Sequence, residues 1–275
     1  MLDLFAIAKG NINSLEQTFA KITGEASASD AALIREFATW VEAQSLISIN
    51  VKLYVVGELL SGRAHLNTYE SAQELSSITG IDGEDLLRQI LRGYYEKRTT
   101  FDRSFSNGEK FRYGALYLGG AGLTEYAPYC LVLSRAFQDS LAEIACLPGD
   151  SLRICFSDTE SFDEDSVRRL AAPYSHRHLL VAIERAKEIP PLERGRWLIL
   201  VAGANRYFEV VFVGEVSLKT VEFVSVLKSD YDRMLTLLFD SFGKKLDEAG
   251  RANAQDFRVL IRGVKEGKLR LEVVT

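Results

Sequence analysis

Cysteine is scarce in this 275-residue chain: Cys130, Cys146 and Cys155 are an odd set with no short paired spacing. They fit neither a disulfide framework nor a zinc site, and a reducing cytoplasmic setting is the expectation. Long apolar runs are missing too. None approaches the roughly 18 residues that cross a bilayer, and the first ten residues carry no basic leader with a cleavage site, so neither a membrane span nor a signal peptide is expected. Histidine is rare. His176 and His178 flank Arg177, and two histidines at i and i+2 share no helix face, so they read as a loop cap rather than a metal site. The glycines Gly119, Gly120 and Gly122 lack the spacing of a Walker or dinucleotide fingerprint. A net charge of −5 argues against broad coating of nucleic acid while leaving room for a local basic groove.

What is present is an ordinary globular composition, 47% hydrophobic and 26% charged, enough for one large domain or two small ones. Residues 1–92 read as a helical region. Ser14–Ile22 forms a short helix. Leu33, Phe37, Trp40, Val41, Leu46 and Ile47 recur at helical spacing through a segment running from Ala31 to Leu60, although Ile49–Val56 is β-branched enough to leave its type open. Thr68 begins another helix that stops at Gly80, and Asp82 caps a third over Gly83–Tyr95. Residues 93–275 read as mixed and strand-rich. Strands are expected over 94–108, closed by Ser106-Asn107-Gly108, and over Lys110–Leu118, Tyr129–Leu133, Arg153–Phe156, Trp197–Val201, Val216–Leu227, Phe257–Ile261 and Lys268–Val274. Helices are expected over Ala136–Ala145, Ser166–Leu170, His178–Ile189 and Tyr231–Phe242. The strands are too dispersed for regular βα alternation, so the class is α+β.

The segment from Asn205 to Val216 is the most informative. After the turn Gly203-Ala204-Asn205 it runs as an apolar strand, antiparallel to Trp197–Val201, and one carboxylate, Glu209, stands inside it. Burying a charge there is costly unless it is paired or used. Three stretches then line up: Arg98 to Gly108 (Arg-Thr-Thr-Phe-Asp-Arg-Ser-Phe-Ser-Asn-Gly), Arg112 to Leu116 (Arg-Tyr-Gly-Ala-Leu), and Tyr207-Phe208-Glu209 with Gly214 and a following Val-Ser-Leu. This pattern resembles a little-characterised bacterial family that looks like a branch of the ADP-ribosyltransferase fold. The likeness covers about residues 94–227.

The resemblance implies a split β-sandwich that grips NAD between two small sheets, with the amino-terminal helices as an added layer. It implies that Arg98, on the first strand, holds the phosphate or ribose side; a planar guanidinium suits phosphate oxygens. It implies Tyr113 or Tyr117 beside the nicotinamide, with Ser104 and Ser106 as hydroxyl alternatives. Glu209 is the implied catalytic carboxylate. Breaking the nicotinamide–ribose bond develops positive charge at the anomeric carbon, and a carboxylate facing it stabilises the transition state and can also draw a proton from the acceptor. No metal is required. The chain departs from the family at Val211 and Val213, where the pattern has Gln and His. It also carries Tyr207 where arginine-directed transferases carry Glu or Gln, which turns expectation towards a nucleic acid (RNA or DNA), another protein side chain or a small molecule as acceptor. Transferases of this fold include toxins of toxin–antitoxin and anti-phage systems, so an antitoxin covering the cleft or a basic rim of Arg98, Arg103 and Arg112 is implied. Two other readings stay open: a catalytically inactive binding module working through the helical region, and a metal-dependent nuclease built on the acidic loop Asp158–Asp165, which lacks the glycine and ligand spacing of a calcium loop.

Overall fold

A computed structural model describes residues 1–156, 161–203, 206–243 and 246–275. Its strands are β1 (Leu46–Val51), β2 (Arg112–Tyr117), β3 (Tyr129–Leu133), β4 (Ile144–Leu147), β5 (Ala172–Pro173), β6 (Glu209–Phe212), β7 (Val221–Leu227) and β8 (Leu271–Val274). They join in one mixed sheet of order β5-β4-β6-β2-β1-β3-β7-β8. Every pairing is antiparallel except that of β7 with β8. With helices before and around this open sheet, the class is α+β.

Side-chain alternation decides what each face of the sheet covers. Ile47, Ile49 and Val51 of β1 point to the main core with Leu116, Leu131, Val210 and Phe212, where the helices Ala28–Gln44, Leu53–Leu60, Arg177–Arg185 and Glu248–Lys265 pack. On the opposite face Ala145, Leu147 and Val211 meet Leu4, Phe5, Phe101, Phe105 and Val167. Each layer removes large aliphatic and aromatic side chains from water, at about 25 cal/mol for each Å² of apolar surface.

Several sequence expectations are corrected. The first 92 residues supply β1, which lies between β2 and β3 at the centre of the sheet. Residues 1–92 and 93–275 therefore share one sheet. The helix that begins at Ala28 ends at Gln44, and the β-branched run after it pairs on both edges. The stretch 94–108, expected to be extended, instead holds the helix Tyr95–Ser104. Tyr95, Thr99 and Asp102 are buried at helical spacing, and the Thr99 hydroxyl donates to the Tyr95 carbonyl at 2.7 Å. Trp197–Val201 falls largely in a 3-10 helix over Arg194–Leu200, and Arg153–Phe156 begins inside the short helix Ser151–Ile154. Phe257–Ile261 lies within the helix Glu248–Lys265, where Ala254, Phe257 and Leu260 repeat at helical spacing. A short apolar run alone does not separate helix from strand. Ala136–Ala145 divides into the helix Arg135–Ser140 and the start of β4. By contrast, Asp82 does cap a helix, through the amides of Glu84 and Asp85, and Gly80 ends another in the left-handed conformation at φ 71°.

The sheet forks at its middle. β1 and β2 pair only through Leu46–Ser48 and Ala115–Tyr117. Beyond that point Ile49–Val51 pair only with β3, and Arg112–Gly114 pair only with β6. Gly114 stands in the fork: a Cβ there would lie 2.6 Å from the Ser48 carbonyl oxygen and 3.1 Å from Ile47 Cγ2. Since the nearest of these is backbone, Gly114→Ala is expected to cost about 1–3 kcal/mol, the usual cost of overpacking. Urea denaturation checks this, and a variant as stable as the wild type would show that the two strands yield.

Candidate active site

Glu209 opens β6, opposite Ala115 of β2 on one side and Leu147 of β4 on the other. Its residue is only 4% exposed, and its side chain faces a cleft of about 330 Å³ at the fork. Oε2 accepts the Ser151 N–H at 3.1 Å. Burial pushes the Glu209 carboxyl up to about 7, with Arg98 working in the opposite direction and Asp150 adding to the rise.

Arg98 reaches the cleft from the helix Tyr95–Ser104 rather than from a strand. Its guanidinium lies 3.8 Å from the centre of the Tyr113 ring, donates to Ser151 Oγ at 3.3 Å and sits 3.9 Å from Asp102 Oδ1. Tyr113 donates its hydroxyl to the same Asp102 oxygen. Asp102 is almost wholly buried, and this pushes its carboxyl up to about 6 against the pull of Arg98 and the Tyr113 hydrogen bond. Burial also holds the Tyr113 phenol well above its usual range, so it stays neutral. One cation is thus held by a ring face, a hydroxyl and the Asp102 carboxylate, while its charge also acts on Glu209.

The loop between β2 and β3 roofs the cleft and is organised by Asn50 of β1. Its side-chain amide donates to the carbonyls of Ala121 and Ala127 at 3.1 and 2.8 Å, and its oxygen accepts the Leu123 N–H at 2.8 Å. Gly122 passes this side chain at φ 65°, where a Cβ would come within 2.4 Å of Asn50 Oδ1. The loop carries Tyr126, whose hydroxyl is 3.2 Å from that of Tyr207 with the rings edge-on. Tyr126 and Tyr94 are exposed at the mouth. Asp150, which caps the helix Ser151–Ile154 by accepting the Leu152 N–H at 2.8 Å, also lines the cleft.

Of the residues singled out from the sequence, Arg98, Tyr113 and Glu209 meet in this cleft. Three others are elsewhere. Ser104 donates to the Thr100 carbonyl within its helix, and Ser106 donates to the Leu2 carbonyl. Tyr117 lies on the same face of β2 as Tyr113 but packs with Cys130, Val132 and Phe223 and donates to the Gly120 carbonyl at 2.9 Å. Of the other two arginines of the expected basic rim, Arg103 is half-exposed and paired with Glu84 at 2.8 Å, whereas Arg112 is buried and paired with Glu70 and the Gly214 carbonyl. Sequence reading missed Asn50, Tyr94, Tyr126 and Asp150. A signal existed for two of them, an amide inside the β-branched run Leu46–Val51 and an aspartate in an N-cap position before a short helix.

Asp158 and Glu160 of the acidic loop and Asn205 of the turn lie outside the described residues. Asp163 caps the helix Glu164–Leu170. Among the described residues no group of three or more His, Cys, Asp or Glu is placed to hold a metal ion, and no helix is long and apolar enough to cross a membrane. The cleft therefore joins two carboxylates, Glu209 and Asp150, one cation engaged by buried Asp102, and several tyrosines, a set suited to a flat group carrying positive charge. Compared with known proteins, the chain matches no family model, no curated protein and no solved structure.

Proposed function

We propose that the cleft binds NAD and breaks its nicotinamide–ribose bond, making the protein an ADP-ribosyltransferase. The observation that carries the reading is a carboxylate, Glu209, buried at the fork of the sheet and facing a tyrosine-lined cleft. The fork leaves two four-stranded halves, β5-β4-β6-β2 and β1-β3-β7-β8, joined by three residue pairs. This supports the split sandwich that the sequence resemblance implies.

In this reading the pyridinium lies among the tyrosines. Glu209 faces the ribose carbon, where positive charge grows as nicotinamide leaves, and stabilises that charge more than it does the bound ground state. Ser151 N–H fixes the carboxylate, and Arg98 favours its ionised form. ADP-ribose passes to an acceptor, either a nucleic acid (RNA or DNA) or a protein. As a toxin or anti-phage effector, the protein would be held in check by an antitoxin partner.

The test is incubation with NAD labelled in its adenylate half together with a cell lysate. Free nicotinamide, and label in protein or in nucleic acid, are measured with Glu209→Gln as control. Nicotinamide release that requires Glu209 supports the reading; no release from the wild type overturns it. One observation favours a second reading, a binding module without chemistry: Arg98 is already held by Asp102, Ser151 and Tyr113, which leaves it less free to grip a pyrophosphate. Calorimetric binding of NAD with no nicotinamide formed is its signature.

A further inference from the structure

The cleft holds a second carboxylate that charge stabilisation by Glu209 does not use. We propose that Asp150 is the general base that takes the proton from the acceptor during transfer, an inference that rests on the NAD reading above. The peptide N–H joining Asp150 to Ser151 is the one Glu209 accepts at 3.1 Å, so the two carboxylates border the same small space. Their settings differ. Glu209 is buried, with Oε2 committed to Ser151. Asp150 is half-buried, and its Oδ1 is fixed by the Leu152 N–H at 2.8 Å, which orients the carboxylate and leaves the second oxygen to receive a proton. Two carboxylates in unlike environments divide the work of acid–base and charge-stabilising groups in glycosidic chemistry. Tyr207, two residues before Glu209, cannot share this work: its hydroxyl meets that of Tyr126, and burial keeps it protonated.

In the step itself, a lone pair on the acceptor oxygen or nitrogen forms the bond to the ribose anomeric carbon. The carbon–nitrogen bond to nicotinamide breaks, and its electron pair neutralises the pyridinium. The acceptor's proton passes to Asp150. The acceptor class is therefore one whose nucleophile must lose a proton: a hydroxyl, an amide or exocyclic amine, or water.

Asp150→Asn separates this role from structure, because asparagine caps a helix as well as aspartate does; Asp150→Ser is a second capping variant. Both are expected to lose transfer by about 10²–10³-fold, within the range for a general base. Azide, an anionic nucleophile with no proton to lose, is expected to restore nicotinamide release to both variants and to yield the ribosyl azide. It should not restore Glu209→Gln. Wild-type transfer by the Asp150 variants, or a loss that azide does not rescue, would overturn the inference while leaving the NAD reading intact. A wild type that releases no nicotinamide removes that reading and this inference together.

Discussion

Glu209→Gln should lower nicotinamide release from NAD by about 10²–10³-fold, the usual cost of losing one group aimed at developing charge in a water-poor site. The change is nearly isosteric, and the amide oxygen can still accept the Ser151 N–H, so the floor of the cleft keeps its shape. Only the negative charge is lost. A second consequence concerns pH. Burial holds the Glu209 carboxyl near 7 in the free protein, so its ionised fraction climbs through neutrality. The kcat/KM of the wild type is expected to rise with pH through about 7 and then level, since kcat/KM follows groups of the free enzyme. The residual activity of Glu209→Gln should lack that limb. Initial rates of nicotinamide release, measured chromatographically over a pH series, check both points. Activity in the variant within about threefold of the wild type would remove Glu209 from the chemistry.

Glu209 is legible in the sequence because a single carboxylate stands in the apolar run Tyr207–Val213 and an ordinary core strand has no use for it. The α+β class is legible for a similar reason: β2, β3 and β7 each announce themselves by β-branched and aromatic residues between turns. Arg98 is legible by type but not by place. The polar segment 94–108 alternates enough to pass for a strand, and only the packing of Tyr95, Thr99 and Asp102 shows that it is helical. The fork is not legible. It depends on where β1 stops pairing with β2, and β1 itself follows a long helix without a turn signal to announce it. Asp150 and Tyr126 are invisible as partners of Glu209 because strand order brings β4 and the β2–β3 loop to β6 from far along the chain. Spacing within one segment carries no trace of such a meeting.

Glu209 is expected to take stability from the folded protein as pH rises from acid through neutrality, and Glu209→Gln should remove that contribution. Glu209 binds its proton more tightly folded, near 7, than its usual value of 4.5, and Asp102 behaves likewise, near 6 against 3.8. A folded value raised above the unfolded one gives stability that is fully present below the unfolded value. It is lost as pH climbs through the folded value, because the unfolded chain releases its proton first. On this account Glu209 alone costs the wild type about 3 kcal/mol between acid and mildly alkaline pH, at about 1.4 kcal/mol for each tenfold change in proton affinity. Unfolding free energies from urea denaturation across that range should therefore diverge, with the glutamine variant gaining on the wild type as pH rises. Parallel curves would mean that Glu209 ionises as freely in the fold as in water, and would take away the buried charge on which the cleft's proposed chemistry depends. Divergence carries a further meaning. A group that the apo fold holds half-protonated near neutrality becomes fully anionic once a positively charged ring lies beside it. Binding of NAD in the proposed orientation should then release protons, and part of the cost of ionising Glu209 would be offset only in the complex, where its charge is used.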